Sequence, residues 1–89
     1  ELIKDELEER NLTQAKLAES IGVKPSLLNE IIKGKRGINT EMALILEAAL
    51  NIPADLLLNL QNDYNMQVAK SDVTFMERLS SIRKIAVAL

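Results

Sequence analysis

The chain has 89 residues, a length that buries one modest core and little more. It holds no cysteine, histidine or tryptophan. Disulfides, thiolate metal sites and the commonest general base are therefore absent, which makes catalysis and metal binding poor expectations and the reducing cytoplasm the natural compartment. A net charge of -2 runs against nucleic-acid binding until it is resolved along the chain.

Residues 1–10 read as a first helix, with Ile3 and Leu7 facing inward and Glu6, Glu8 and Glu9 facing water. The chain begins at Glu1 rather than Met, so further residues are expected before it. Asn11 and Leu12 turn into Thr13, the expected N-cap of a second helix from Gln14 to Ile21. Ala15, Ala18 and Ile21, with Leu17 beside them, form its apolar face, and the two alanines leave room for a closely crossing partner helix. Gly22 follows, where a left-handed residue is easiest to place. A third helix starts at Pro25, suited to the first helical position, and closes at Gly34. Leu28 and Ile31 mark its buried stripe, extended by Val23, while Leu27 and Ile32 flank it. Ser26, Asn29, Glu30 and Lys33 fall on the opposite side.

Two short helices joined by a tight turn, the second with an outward polar face, have the layout of a helix-turn-helix that reads DNA. A major groove offers donors, acceptors and thymine methyls, so Ser26, Leu27, Asn29 and Glu30 are candidates for base reading. Lys33 and the pair Lys35 and Arg36, set between two glycines, are candidates for phosphate, with Gln14 at the start of the second helix; Lys24, before Pro25, is a further candidate for contact with DNA. Each feature alone fits an ordinary solvated surface; their joint occurrence at consistent offsets carries the reading. Charge agrees with it. From Arg10 to Gly37 six basic residues face two acidic ones, whereas residues 1–9 and 38–72 are each net -4.

Beyond that segment, Asn39 and Thr40 offer N-caps and Glu41 suits the first turn of a fourth helix. Met42, Ala43, Leu46, Ala49 and Leu50 are expected inside, with Leu44 and Ile45 widening the stripe. Asn51 closes this helix and Pro53 is expected as the first residue of the next, which runs to about residue 70. Leu56, Leu57, Leu58, Leu60, Tyr64, Met66 and Val68 surround too much of that helix for one buried stripe. Leu56, Leu57, Leu60 and Tyr64 are therefore expected at a dimer interface, the alternative being that the last helix covers them. Ser71 and Asp72 break the chain, dividing a domain over 1–70 from a helical extension over 71–89. In the extension Thr74 and Glu77 are spaced for a capping box, and Phe75, Leu79, Ile82, Ala86 and Leu89 repeat at helical spacing. Glu47 and Asp55 interrupt the richest apolar stretch, so neither a membrane span nor a signal peptide is read.

The segment TQAKLAESIGVKPSLLNEIIKGKRG resembles the helix-turn-helix of phage-repressor-like regulators, the lambda, Cro and xenobiotic-response-element superfamily. The continuation INTEMALILEAALNIPADLLLNLQNDYN is similar to HigA-type, or VapI-like, antitoxins, and the resemblance spans residues 2–68. It implies an all-α, lambda-repressor-like domain of five helices, followed here by the C-terminal amphipathic helix. It further implies a homodimer on a pseudo-palindromic double-stranded operator that represses its own operon, neutralises a HigB-type toxin (a ribosome-dependent mRNA endonuclease) and needs no cofactor. Two alternatives stand beside it: a stand-alone regulator without a toxin, and a helical interaction module that has lost DNA binding. The chain departs from many relatives at Lys24, where they place Ser or Thr as N-cap, and at Pro25, whose ring cannot hydrogen-bond a base. Glu30 would be repelled by phosphate and must read a cytosine amine or stay clear.

Overall fold

A computed structural model describes residues 2–89. Six helices follow in order, α1 (Leu2–Glu9), α2 (Gln14–Ile21), α3 (Pro25–Ile32), α4 (Thr40–Leu50), α5 (Ala54–Lys70) and α6 (Val73–Val87), with no strand among the described residues. The all-α class and the layout of five helices plus a C-terminal one are as expected from the sequence; Glu1, read as the start of α1, lies outside the described residues. The chain folds as two compact units, one ending at Leu58 and the other Asn59–Leu89. The boundary therefore falls within α5, where core-facing residues stop at Leu57 and Leu58, whereas the helix break itself is at Ser71 and Asp72.

The first unit is built on apolar residues supplied by every helix in it: Ile3 and Leu7 from α1, Leu17 and Ala18 from α2, Leu28 and Ile31 from α3. Met42, Ala43, Leu46 and Leu50 come from α4, and Ile52, Ala54 and Leu57 complete the core. No polar side chain is buried among the described residues, so the core carries no desolvation cost of that kind. Eight-residue helices cannot sustain themselves in water, and α1, α2 and α3 persist because two residues of each are sunk into this core.

Chain direction is set by residues held left-handed. Asn11 (φ 53°), Gly22 (φ 73°) and Gly34 (φ 76°) end α1, α2 and α3 in the same way. In each case the following amide turns back across the last turn: Leu12 donates to the Leu7 carbonyl at 2.9 Å, Val23 to Ala18 at 3.0 Å, and Lys35 to Glu30 at 2.8 Å. Asn51 (φ 57°) ends α4 with a single bond from its amide to the Glu47 carbonyl at 2.8 Å. The opposite ends are capped by side chains: Thr13 Oγ1 accepts from the Lys16 amide at 3.1 Å and Asn39 Oδ1 from Met42 at 2.8 Å, as their positions suggest.

Several inward assignments are corrected. Ala15 is exposed, because the inward face of α2 follows the spacing Gln14, Leu17, Ala18, Ile21 and leaves Ala15 to one side. Leu44 is exposed as well, while Ile45 and Ala49 are half-buried. Pro53 stands one residue before α5, which opens at Ala54 with its amide held by the Glu47 carboxylate at 2.7 Å. In the second unit the N-cap of α6 is Asp72, whose Oδ1 accepts from the Phe75 amide at 3.0 Å; Thr74 already lies inside the helix and no capping box forms there. None of the residues of α6 is buried, and Leu60 and Tyr64 in the same unit stay exposed, so the self-covering arrangement is not realised within it.

Arg10 is engaged in the first unit. Its Nε meets Glu6 Oε1 at 2.8 Å and Nη2 donates to the Leu50 carbonyl at 2.8 Å, tying the end of α1 to the C-terminus of α4. A charged donor on a helix-end carbonyl satisfies an otherwise orphaned acceptor. Arg10→Ala is expected to lower stability by about 1 kcal/mol, seen as a fall of the thermal midpoint by about 4–8 °C for a domain of this size. An unchanged midpoint would remove the structural role given to this residue.

Candidate nucleic-acid interface

α2 and α3 pack on one another through a three-residue connection, Gly22, Val23 and Lys24. Ala18, fully buried, permits the close approach that Ala15 was expected to share, and Val23 is half-buried against the same core. With Leu28 and Ile31 pointing in, the opposite side of α3 is turned outward. Ser26 and Lys33 are exposed there; Asn29 and Glu30 are half-buried. Leu27 packs against the core as a partly buried flank and offers only part of its side chain to a partner. Lys24 is exposed and its side chain makes no capping bond, so α3 enters through the pre-set φ of Pro25 instead.

The Schellman-type ending of α3 brings the next segment back beside the helix. Lys33, Lys35 and Arg36 are all exposed near this turn. Arg36 Nε donates to Glu30 Oε2 at 3.0 Å, a pairing the sequence does not disclose: a separation of six residues is not a helical neighbour spacing, and only the left-handed Gly34 brings the two together. Glu30 therefore neither faces phosphate unpaired nor stands clear of the basic loop. Gln14 is half-buried on the inward spacing of α2, which narrows its expected phosphate role. Lys16, on the exposed side of α2, is a further cation that sequence reasoning passes over, and its signal is its place opposite Leu17 and Ala18.

Of the six basic residues from Arg10 to Gly37, Arg10 and Arg36 are in ion pairs. Lys16, Lys24, Lys33 and Lys35 are exposed and form no ion pair among the described residues. These four ammonium groups, with Ser26 and Asn29, lie on α2, α3 and their connecting turns, outside the acidic stretches of the chain. Exposed ammonium groups attract the phosphates of a polyanion, and short hydrogen-bonding side chains such as Ser and Asn match the donors and acceptors of base edges. Among the described residues no group of acidic side chains is able to hold a metal, and no helix is long and apolar enough to cross a membrane.

The residues expected to join two copies are placed differently from one another. Leu57 is 3% exposed and belongs to the core, because it points the same way as Ala54; it has no surface to give a partner. Leu56, Leu60 and Tyr64 are 42%, 49% and 56% exposed and recur every four residues along α5.

Comparison with known proteins gives a consistent picture. The family model described as Helix-turn-helix matches residues 3–57. The uncharacterized HTH-type transcriptional regulator YddM of Escherichia coli strain K12 is 28% identical over 81 residues, covering 89% of this chain and 86% of that protein. Virulence-associated protein I of Dichelobacter nodosus is 34% identical over 73 residues, covering 81% of this chain and 68% of its own length. Among solved structures, PA4674 of Pseudomonas aeruginosa in complex with its 18 bp operator DNA superposes with a TM-score of 0.68 at 27% identity, covering 81% of this chain and 78% of that one.

Proposed function

This chain belongs to the helix-turn-helix family, and from that premise we propose that it is a transcriptional repressor that binds a double-stranded operator through α3. The observation carrying the proposal is the outward side of α3, where Ser26 and Lys33 are exposed and Asn29 is half-buried, while Leu28 and Ile31 hold the helix from behind. Ser26 and Asn29 read base edges, Asn29 being suited to a bidentate contact with adenine. Lys24, Lys33 and Lys35 neutralise phosphates, with Lys16 approaching the backbone from α2. The operator-bound neighbour supports the same use of the fold.

The protein acts as a homodimer in the cytoplasm, two copies of α3 meeting half-sites about one duplex turn apart on a pseudo-palindrome. Leu56, Leu60 and Tyr64, among the exposed apolar residues of α5, are suited to that pairing. The finer reading is that of a HigA-type antitoxin with a HigB-type toxin as partner. It is supported by the 34% identity to Virulence-associated protein I and by the EMAL and LNLQNDY segments of the sequence.

Selection of duplexes from a random pool is expected to yield a pseudo-palindrome. Lys33→Ala with Lys35→Ala is expected to weaken binding to every duplex and to reduce the log–log salt slope by about 0.9 for each phosphate that is no longer neutralised. Asn29→Ala is expected to relax base preference at one position in each half-site. An unchanged slope would take these lysines off the DNA, and an unchanged preference would remove Asn29 as a reader. For the antitoxin reading, co-expression with the adjacent reading frame is expected to give a co-purifying small basic protein. A gene standing alone would leave the repressor without a toxin.

A further inference from the structure

Glu30 is the one acidic side chain on the outer side of α3, and it is joined to the basic loop at three points. Its carbonyl accepts the amides of Lys35 at 2.8 Å and Arg36 at 3.3 Å, and its carboxylate accepts from Arg36 Nε at 3.0 Å. Only Nε is used in that pair; both Nη groups are without a protein partner among the described residues. A guanidinium pinned by Nε keeps its other donors aimed together, which is the arrangement that meets a phosphate bidentately. The two side chains are largely open to water, 59% accessible at Arg36 and 44% at Glu30, so the pair adds little to folding stability. Its consequence lies on the DNA-facing surface.

We propose, on the basis of the DNA-binding reading above, that Glu30 is a positioning residue that makes Arg36 favour the operator over unrelated duplex. In a loosely held, unrelated complex the carboxylate cancels the charge of Arg36 and repels the backbone, so the residue contributes little. In a registered complex a phosphate meets the aligned Nη groups without the cost of ordering the side chain. Glu30 thereby lowers non-specific affinity and spares specific affinity, and it reads no base itself.

The test uses the full chain, one duplex selected from a random pool and one unrelated duplex, each titrated at two or more salt concentrations. Glu30→Gln is expected to strengthen binding to the unrelated duplex and to shrink the ratio of specific to non-specific affinity about fivefold, the scale of one exposed ion pair. Glu19→Gln removes the same charge from an exposed site on α2 and is expected to leave that ratio unchanged. Arg36→Gln is expected to reduce the ratio in the wild-type background and to leave it unaltered in the Glu30→Gln background. In the free protein, proton exchange at Arg36 Nε is expected to be slower than in Glu30→Gln. The proposal is overturned if Glu30→Gln and Glu19→Gln act alike, if Arg36→Gln acts equally in both backgrounds, or if Glu30→Gln shifts preference at a single base pair. Should no duplex be selected at all, while Arg36 Nε exchange is slowed, the DNA-binding reading itself fails and this proposal with it.

Discussion

An eight-residue helix in water falls apart, and the presentation of α3 depends on Leu28 and Ile31 being driven into the core. Burial of those two side chains stabilises by roughly 1.5–3 kcal/mol each. It also decides orientation: with them fixed inward, the helical repeat leaves Ser26, Asn29 and Lys33 nowhere to go but outward. α2 supports this from one side through Ala18, whose small side chain lets the helices approach, while α4 supplies Met42, Ala43, Leu46 and Leu50 to the same core. The turns do not store strain in bulky residues. Glycine or asparagine occupies every left-handed position among the described residues.

Electrostatics follows from how the cations are distributed between folding and surface. A net charge of -2 describes the whole chain poorly, because most of the acidic residues lie before Arg10 and after Gly37. Within the basic segment, Arg10 holds α1 to the end of α4 and Arg36 is paired with Glu30, so four lysines carry the unpaired positive charge. The lysines are long and strongly hydrated, suited to general attraction to a backbone. The short side chains of Ser26 and Asn29 lie on the side of α3 opposite Leu28 and Ile31.

What could be read in the sequence was what depends on neighbours along the chain. Thr13, Asn39, Gly22 and Asn51 announce helix ends through chemistry local to a few residues, and Ile3, Leu7, Leu28 and Ile31 announce the core through helical spacing. The features that were not legible join residues across a turn or between helices. The Glu47 carboxylate reaches the Ala54 amide across the break between α4 and α5, and the Glu30–Arg36 pair exists only because Gly34 reverses the chain. A difference of two positions separates Asp72 from Thr74 as N-cap, Asp being preferred over Thr at that position because its side-chain oxygen accepts readily from a helix-start amide. Leu57 looks equivalent to Leu56 and Leu60 in a run of leucines, and only the rotation of α5 separates the buried one from the exposed ones.

If the outward side of α3 is the surface that meets a duplex, its backbone amides must respond when one is bound. Mapping amide shifts of the isotopically labelled chain as a selected duplex is added reads this out residue by residue. The largest changes are expected from Lys24 through Arg36 and at the start of α2, with α6 unaffected. Changes confined to α5 and α6, with the amides of Ser26, Asn29 and Lys33 unmoved at saturation, would contradict a DNA-reading α3.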